Sequence, residues 1–575
     1  MSGILERLRE TDVKTRAGTV RDGFPDNALG EFIDLGVKFV SSHPKIENVY
    51  YRAVRDLMNC VAAAPSGGPM LLEGADFIGM WLESTGTISA ELFSRFCPET
   101  ARSTMELFAD HKRADGLIPY KITASGPAYR QVQMVTPLAR SVWDNYVTDR
   151  DKAFLKKMYE AIADNDKWLE TYRNTRGTGC VEAFCAFDTG CDASPRFWHA
   201  PDTPYMNDPA RYDPNSPILP FLAPDMTANV YCQRKYLAKM AEELGLSGRE
   251  WENKAEGSLK SLMKYCYDEK DHYFYDCDKL GRFVRVQTDN LIRVYAAEAG
   301  TDEMFEDALN RYFLNTKKYF PRYPITTVAI DEPGFSPFIE YNSWAGQVSF
   351  LTETRLPRAF DYHRRFVELT WIMHPIITAL SRFTRFAGSL NAWVGAEGYR
   401  ENYSPTMLCV LDYLERFCGI FPTPENELIF TSLIPYGIDY GESVAEETGY
   451  ARSADGAMFE LVNTGRGSVI YKNGEPLYGF PLGVRVVTDR TGALRRLVGA
   501  SYSTVSGSVV INGGGEIPFE VRGNEVLEFT GGGFESVFNP GVVPPNYGGR
   551  VLSRRVPDPR GGLSYTEFIT SPEQR

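Results

Sequence analysis

Apolar residues recur every three to four positions through most of the chain, the spacing that puts them on one face of an α-helix. After Ser84, for example, Ile88, Leu92 and Phe96 fall on a single stripe. Convincing alternation of strands and helices is absent from this part of the sequence, so the pattern favours an all-α architecture of paired helices. The predicted helices cover residues 28–64 (as two segments), 84–96, 99–111, 133–145, 150–172, 228–244, 248–266, 289–298, 302–312, 343–356, 360–374, 376–387 and 404–417.

The pattern changes after about residue 425, where apolar and polar residues begin to alternate and Thr, Val and Gly become frequent. Alternation with a period of two is typical of strands that have one buried face. Turn sequences such as Asn473-Gly474 separate the apolar runs. We therefore expect two domains, a helical domain over residues 1–425 and a β-sandwich over residues 426–575, with an irregular tail from about Pro544.

Three connections between the predicted helices are long, aromatic and rich in Gly and Pro. They cover residues 115–129, 175–224 and 320–342, whereas other connections are short and polar. Long loops inside a compact domain are usually functional. The candidate chemistry is therefore sought first in these loops.

Composition narrows the class of protein. The net charge of −13 and the pI of about 5.2 argue against nucleic acid or an anionic membrane as a partner, because both attract a basic surface. The N-terminal residues show no apolar run of signal-peptide length. The most apolar later stretch, residues 369–380, is far shorter than the roughly 20 residues that span a bilayer. We expect a cytoplasmic protein.

The ten cysteines include no CxxC pair. Cys180, Cys185 and Cys191 lie close together, but a zinc site would need tighter pairs and a nearby histidine, and only His199 is available. Buried reduced thiols are the expected state. The sequence predicts no metal and no organic cofactor.

An acidic residue on an aromatic loop is the first candidate for chemistry. In residues 190–197, GCDASPRF, Asp192 stands among small residues, and Pro195 disfavours helix at Ser194. Partial desolvation by neighbouring aromatic residues would raise the pKa of Asp192, which suits a general acid at neutral pH. The alternative is a structural aspartate that forms an Asx-turn or caps the next helix.

A second acid, Glu401, lies in the segment ENYSP just before a predicted helix. Asn402 and Tyr403 could orient its carboxylate by hydrogen bonds, while Ser404 could cap the helix that begins at Pro405. The alternative is an ordinary exposed acid beside a helix N-terminus, where the helix dipole favours negative charge.

The two segments together resemble a known family. GCDASPRFW is similar to the general-acid segment, and ENYSP to the general-base segment, of the clan-G-type inverting α-glycoside hydrolases. This glycoside hydrolase family 63-like group holds processing α-glucosidases and the mannosylglycerate and glucosylglycerate hydrolases. The resemblance implies a mainly α fold, an (α/α)6 toroid followed here by a C-terminal β-sandwich domain. It also implies that Asp192 is the general acid and Glu401 the general base.

The match departs from the family at three places. The base segment lacks the Thr-Gly pair and the Phe-Ser-Trp that commonly follow it, so the base could instead be Glu397. The family's early Trp-x-Asp, which binds the sugar in the −1 pocket, corresponds to Trp81-Leu82-Glu83, and Glu lengthens the arm by one methylene. Many members carry an N-terminal β-domain, whereas the β-rich part of this chain comes last.

The same resemblance implies a set of substrate-binding residues. Trp344 in YNSWAGQVSF is similar to a stacking Trp of the family, with Tyr341 close by, although core packing would also explain a Trp. The glutamine that binds the −1 sugar corresponds to Gln131 or Gln133, and we favour Gln133. Asp225 is similar to a residue that opens the next helix pair, where an N-cap role is the stronger interpretation. The predicted substrate-binding set is Trp81, Glu83, Gln133, Arg196, Tyr341, Trp344 and Tyr403.

The resemblance implies hydrolysis of a terminal α-linked sugar from a small glycoside or oligosaccharide, with inversion of configuration. Asp192 would protonate the glycosidic oxygen while Glu401 activates a water on the opposite face of the ring. The same toroid hosts sugar phosphorylases, polysaccharide lyases and epimerases, and a non-catalytic carbohydrate-binding protein also stays open. The expected partner is a small-molecule carbohydrate, and the sequence leaves assembly into a homo-oligomer undecided.

Overall fold

The computed structural model describes residues 3–74, 77–133, 136–337, 344–437 and 444–547. Helices fill most of the chain up to residue 418 and strands dominate after it, as the sequence predicts. Within the described ranges the α-helices are α1 (Gly3–Glu10), α2 (Val13–Ala17), α3 (Phe24–Asp34), α4 (Pro44–Met58), α5 (Ser89–Phe93), α6 (Pro98–Asp110), α7 (Leu138–Asp149), α8 (Lys152–Tyr172), α9 (Pro224–Glu243), α10 (Arg249–Cys266), α11 (Asn290–Ala296), α12 (Asp302–Ala308), α13 (Phe350–Tyr362), α14 (Phe366–Leu380) and α15 (Ser404–Cys418).

Helices that follow one another along the chain pack together, α7 with α8, α9 with α10 and α13 with α14. Their burial divides them into two groups. α11 and α15 are buried along their whole length, whereas α8 and α10 bury only a stripe of residues. A helix that is buried all round lies inside a layer, and one with a single apolar stripe covers it. The helical region therefore has inner and outer helices.

Two helices continue through a proline. The sequence predicts separate helices ending at residue 374 and beginning at 376, but α14 runs through Pro375. In α13, Pro357 has no N–H to donate to the carbonyl of Glu353, four residues earlier. That carbonyl accepts a hydrogen bond from the Tyr413 hydroxyl of α15 at 3.0 Å instead. Packing between the helices thus replaces the missing bond.

Strands form the C-terminal region and several short ladders within the loops. In the described ranges they are β1 (Lys38–Ser41), β2 (Val61–Ala63), β3 (Pro69–Leu71), β4 (Met80–Trp81), β5 (Lys121–Thr123), β6 (Gly126–Ala128), β7 (Glu182–Ala183), β8 (Phe221–Leu222), β9 (Tyr267–Asp268), β10 (Tyr273–Phe274), β11 (Asp276–Cys277), β12 (Phe283–Val284), β13 (Val348–Ser349), β14 (Ser389–Leu390), β15 (Ile420–Pro422), β16 (Glu427–Thr431), β17 (Thr448–Ala454), β18 (Ala457–Thr464), β19 (Gly467–Lys472), β20 (Glu475–Phe480), β21 (Val484–Asp489), β22 (Leu494–Gly499), β23 (Val505–Ile511), β24 (Glu516–Val521), β25 (Val526–Phe529) and β26 (Phe534–Phe538).

Two antiparallel sheets dominate the strand-rich region. One has the strand order β1-β17-β18-β19-β20-β23-β24 and the other β15-β16-β21-β22-β25-β26. The sheets contact each other through aromatic rings: Phe430 of β16 and Phe459 of β18 lie 5.9 Å apart, and Phe519 of β24 and Phe534 of β26 lie 6.2 Å apart. These contacts give the two sheets a shared apolar core.

Segments from the helical part of the chain complete these sheets. β1 pairs with β17, with Phe39 opposite Tyr450, and β15 opens the second sheet. Both lie within residues 1–425, which the sequence assigns to the helical domain. The helices predicted across β1 and β2 are wrong at these strands, because strand pairing overrides local periodicity. The partner of β1 is β17, about 400 residues away, whereas β2 pairs with the nearby β3.

The protein's long loops converge on the N-terminal ends of several helices. Glu83 precedes α5, Gln133 precedes α7, Ser349 precedes α13 and Tyr403 precedes α15, and all four residues line one cavity. The fold therefore brings residues from distant parts of the sequence to a single site.

Within the described residues, no helix is both long and apolar enough to cross a membrane. No group of three or more His, Cys, Asp or Glu side chains in that part of the chain could hold a metal ion. The ten cysteines are free thiols, and all of them are buried.

Candidate active site

A cavity of about 190 Å³ opens where the long loops meet the first turns of α13 and α15. Acidic, aromatic and basic side chains form its walls. Among the described residues, the acids are Glu73, Glu83 and Asp192, the aromatic residues are Phe77, Trp81, Tyr120, Phe187, Trp344, Tyr399 and Tyr403, and the cations are Lys121, Arg130 and Arg400. Of the predicted site residues, the cavity brings together Trp81, Glu83, Gln133, Asp192, Trp344 and Tyr403.

Asp192 is half-buried and lies on a loop, as the sequence predicts. Left-handed backbone at Gly190 (φ 68°) and Ala193 (φ 54°) shapes the turn on either side of it. The backbone N–H of Trp344 donates a hydrogen bond to the Asp192 carbonyl at 2.9 Å. This bond fixes the loop to the segment that leads into α13.

Arg196 follows Asp192 on the same loop, but its side chain is buried and does not line the cavity. It is 2% exposed, and its guanidinium donates to both oxygens of Asp225 at 2.9 and 2.7 Å and to both oxygens of Asp276. Burial raises the pKa of Asp225, but the charge and hydrogen bonds of Arg196 and the charge of Arg293 together outweigh burial and leave that pKa below its ordinary value. We therefore correct the predicted sugar-binding role of Arg196 to a structural one. Asp225 lies in the first turn of α9, where Ala223 is the N-cap residue.

Glu83 enters the cavity just before α5 and is 2% exposed. One of its oxygens accepts a hydrogen bond from Arg355 of α13. The other packs against Gly190 so closely that a Cβ at Gly190 would lie 1.9 Å from Oε2. Glycine is therefore needed at position 190 both for the positive φ and for the space that the Glu83 carboxylate occupies.

Glu73, which is absent from the predicted site residues, is the third acid of the cavity and is 6% exposed. The Tyr403 hydroxyl donates a hydrogen bond to its Oε1 at 2.6 Å. Burial raises the pKa of Glu73 to about 7; the hydrogen bond from Tyr403 opposes the rise, and the negative charges of Glu83 and Asp192 add to it. Glu73 is thus the cavity acid whose pKa is raised toward neutrality.

The backbone around Glu73 is tied to the segment before α15. The Ser404 N–H donates to the Glu73 carbonyl at 2.9 Å. A Cβ at Gly74 would lie 2.1 Å from the Asn402 carbonyl oxygen, so only glycine allows this approach. In the sequence, the available signal was an acid followed by glycine in the run LLEGADF, shortly before Trp81.

The structure does not bring Glu401 to the cavity that holds Asp192. Glu401 is exposed and lines a separate surface depression together with Arg21 and Asp56. Positive φ angles at Arg400 (76°) and Asn402 (51°) turn the chain so that Arg400, and not Glu401, faces the cavity.

Glu397, the alternative base, also lies outside the cavity lining. Its carboxylate accepts hydrogen bonds from the backbone N–H groups of Thr384 and Arg385, both at 2.8 Å. These bonds fix the loop after α14, so the contacts of Glu397 are structural.

Neighbouring side chains pack against the aromatic residues of the cavity wall. Trp344 is 4% exposed, and the guanidinium of Arg293 lies 4.6 Å from its ring centre on the protein side. Trp81 meets Phe77 edge to face at 5.4 Å. Supported rings of this kind suit stacking against the apolar face of a ligand.

Both candidate glutamines line the cavity, and they are bonded to each other. Nε2 of Gln131 donates to Oε1 of Gln133 at 3.1 Å. Gln131 is 3% exposed and Gln133 is half-buried, so Gln133 lies nearer the opening. Tyr341, another predicted contact, lies outside the described residues.

Three cations gather beside these rings. Nζ of Lys121 lies 5.3 Å from the Trp81 ring centre, and the Arg400 guanidinium lies 4.6 Å from that of Phe77. Burial, followed by the charge of Arg130, lowers the pKa of Lys121. A cavity whose wall carries both carboxylates and cations can bind a ligand that has hydroxyl groups and an anionic group.

The model of the mannosylglycerate hydrolase MGH1-like glycoside hydrolase domain matches residues 78–407, more than half of the chain. The chain belongs to this family. The family resemblance seen in GCDASPRFW and ENYSP is therefore confirmed. In this glycoside hydrolase, Asp192 and Glu83 lie inside the matched range, whereas Glu73 precedes the matched range. No match was found among the curated proteins.

Solved structures share the fold of this glycoside hydrolase. A family 63 mannosylglycerate hydrolase from Thermus thermophilus in complex with Tris has a TM-score of 0.54 at 16% identity, over 63% of this chain and 99% of that one. The same hydrolase in complex with glucose has a TM-score of 0.54 at 15% identity, over 63% and 100%. A sialidase has a TM-score of 0.60 at 13% identity, over 84% of this chain and 44% of that chain.

Proposed function

We propose that the protein hydrolyses a terminal α-linked sugar of a small glycoside with inversion of configuration. The observation that carries this proposal is the meeting of Glu73, Glu83 and Asp192 in one cavity of about 190 Å³. In the proposed architecture, the inner and outer helices form an (α/α)6 toroid and the two sheets a β-sandwich. A cavity of this size suits one sugar ring with a short aglycone better than a polymer.

Asp192 is the proposed general acid. It lies on a loop whose backbone is held by two contacts, the bond from the Trp344 N–H to the Asp192 carbonyl and the bonds of Arg196 to Asp225 and Asp276. Asp192 and Glu73 interact electrostatically, and two like charges in one site favour a state in which a single proton is retained. The reaction requires that Asp192 hold a proton when the glycoside is bound, and Asp192 donates it to the glycosidic oxygen.

Glu73 is the proposed general base. A pKa of about 7 matches the requirement that a base be ionised and still accept a proton near neutral pH. The hydrogen bond from Tyr403 stabilises its ionised form and fixes its orientation. Glu73 would remove a proton from a water that attacks the anomeric carbon from the face opposite the leaving group, and this requires the two carboxyl groups to be about 6.5–9.5 Å apart.

Glu83 is the proposed residue for binding hydroxyl groups of the sugar. Its carboxylate accepts a hydrogen bond from Arg355 and can also accept hydrogen bonds from sugar hydroxyls. Trp81 and Trp344 would pack against the ring faces, and Gln133 would bind a hydroxyl near the opening.

The cations indicate the chemistry of the aglycone. Lys121, Arg130 and Arg400 line the cavity and would attract a carboxylate on the leaving group. The family is named after mannosylglycerate, and the Thermus thermophilus hydrolase has been solved with Tris and D-glycerate. We therefore propose a glycoside of a small hydroxy acid as the substrate.

The first experiment offers a panel of α-glucosides and α-mannosides with neutral or carboxylate-bearing aglycones and follows the products by NMR. We expect free sugar to appear first as the β anomer, and faster from the carboxylate-bearing substrates. Release of the α anomer would contradict inversion. If no member of the panel is hydrolysed, the proposal fails.

The assignment of the acid and base needs three matched amide variants. Asp192→Asn and Glu73→Gln should each lower kcat by about 10²–10⁴-fold without loss of the folded state, whereas Glu401→Gln should retain the activity of the unmodified protein. Melting temperatures would verify that the variants fold. If Glu401→Gln is inactive and Glu73→Gln active, Glu401 is the base and the role proposed for Glu73 is wrong.

The cations also favour a second candidate function, a sugar phosphorylase. Lys121, Arg130 and Arg400 could hold inorganic phosphate as the nucleophile in place of water. Turnover that depends on phosphate and yields a sugar phosphate would select this function. Turnover in phosphate-free buffer with free sugar as the product would select hydrolysis.

A further inference from the structure

A second cavity, of about 310 Å³, lies between the helices and the strand-rich region. It shares no lining residue with the candidate active site among the described residues. Residues near the C-terminal ends of α5, α7 and α15 line it, whereas the active-site cavity lies at their N-terminal ends. With helices of 12 and 15 residues in α7 and α15, the two cavities are about 20 Å apart.

Arginine dominates the wall of this second cavity. Four acids, Glu91, Glu99, Asp144 and Asp149, also line it, so the described lining carries an excess of two positive charges. One of these acids, Asp144, is paired with Arg358 of the same wall, and burial raises its pKa. The lining arginines are Arg95, Arg102, Arg358, Arg416, Arg452 and Arg490.

Several of these arginines make contacts that stabilise the fold. Arg416 is bonded to Asp412 and Asp361, and the ring of Phe421 lies between Arg95 and Arg416, 4.8 and 4.2 Å from their guanidinium groups. These contacts stabilise the ends of the helices and rigidify one wall. These contacts leave some arginine N–H groups of the cavity lining without a hydrogen-bond acceptor.

Two buried donors of the lining remain without an acceptor. In the described part of the chain, the Nε atoms of Arg452 and Arg490 are buried and have no hydrogen-bond partner. Nε of Arg358 and Nη1 of Arg95 also make no hydrogen bond, but they lie 3.7 Å from Glu91 and 2.8 Å from Glu415. Arg490 also has no acid within ion-pair distance among the described residues. Burial lowers its pKa, the charge of Asp455 opposes this fall, and the charge of Arg452 adds to it. Buried N–H groups without acceptors are costly, so two such donors on residues that line one cavity favour a bound oxyanion.

We propose that this second cavity binds a small metabolite that carries an oxyanion, a carboxylate or a phosphate. The oxyanion contacts Arg490 and Arg452, and the carbon skeleton packs against Leu92, Val147 and Pro422. The proposal is independent of the reaction assigned to the first cavity.

The test measures binding of inorganic phosphate and of citrate to the full-length protein by calorimetry and by the melting temperature, with sodium chloride at equal ionic strength as the reference. We expect saturable binding and a rise in melting temperature with at least one of the two anions. A preference for phosphate or for citrate would distinguish the two kinds of oxyanion. No saturable effect beyond that of sodium chloride would overturn the proposal.

Variants locate the bound anion. Arg490→Ala should weaken binding about tenfold or more, whereas Arg466→Ala, which changes an exposed arginine in another hairpin turn, should have no effect. Thr148→Glu adds a carboxylate at the exposed rim of the second cavity and should also weaken binding while leaving the buried residues unchanged. Arg130→Ala changes the first cavity and should leave binding intact. Binding that is lost in Arg130→Ala and retained in Arg490→Ala would assign the anion to the active site and overturn the proposal.

Discussion

The hydroxyl of Tyr403 donates a hydrogen bond to Oε1 of Glu73 at 2.6 Å, which joins the residue before α15 to the loop after β3. The two residues are 330 positions apart in the sequence. Because the Glu73 carboxylate is buried, this bond is a principal stabiliser of its ionised form. The contact therefore controls the protonation of the residue that we propose as the base.

Replacing Tyr403 with Phe should raise the pKa of Glu73 above its value of about 7. A hydrogen bond to a charged group is worth about 1.5–3 kcal/mol, which corresponds to a shift of about one to two pH units. The acid limb of the pH profile of kcat/KM should move upward, so activity at pH 7 should fall and recover in alkaline buffer. Tyr502→Phe, at an exposed tyrosine, is the control. An unchanged acid limb in Tyr403→Phe would refute the prediction.

Replacing Gly190 with Ala should displace Glu83 and lower kcat/KM. The new Cβ would lie 1.9 Å from Glu83 Oε2, and the backbone has a φ of 68°. Gly177 offers a matched control, because its φ is 65° and a Cβ there would meet nothing within 4 Å. Gly177→Ala should cost only the backbone strain of about 1–2 kcal/mol, measured by urea denaturation, and should keep full activity. Equal activity in the two variants would show that the Glu83 contact is unimportant.

Local sequence patterns predict much of this molecule because many of its elements are specified locally. The apolar stripes give the helices, and the alternating pattern gives the strand-rich region after residue 418. The Gly and Pro residues around Asp192 give the loop on which it lies. The short motifs then identify the family.

The site itself depends on contacts that no local pattern contains. Glu73 belongs to no motif, and its raised pKa comes from burial in a cavity to which Asp192 and Tyr403, far later in the sequence, also belong. Arg196 belongs to a motif, but its direction is decided by Asp225 and Asp276, which come from α9 and β11. For Glu401, positive φ angles at the residues on both sides decide that it faces away from the cavity.

Removing Arg196 should destabilise the protein strongly. Arg196→Ala leaves the carboxylates of Asp225 and Asp276 buried without their cation, and breaking a buried ion pair in this way costs about 3–5 kcal/mol. Arg282→Ala is the matched control, since Arg282 pairs with Asp278 at 2.7 Å but its side chain is 65% exposed. The exposed pair should contribute no more than about 1 kcal/mol. Urea denaturation of both variants tests the difference, and similar losses would contradict it.

The buried carboxyl group of Glu353 should make stability fall as the pH rises. Burial raises its pKa to about 8, against an ordinary value of 4.5, although the bond from Tyr413 opposes the rise. Between these two values the folded protein keeps a proton that the unfolded chain releases, so this group lowers the free energy of unfolding by about 1.4 kcal/mol per pH unit. Glu353→Gln preserves the hydrogen-bonding groups and cannot ionise, and its unfolding free energy should lose this decline between pH 5.5 and 7.5. Glu516→Gln, at an exposed position in β24, should keep the slope of the unmodified protein. Parallel pH dependences for Glu353→Gln and the unmodified protein would mean that Glu353 is already ionised in the folded state.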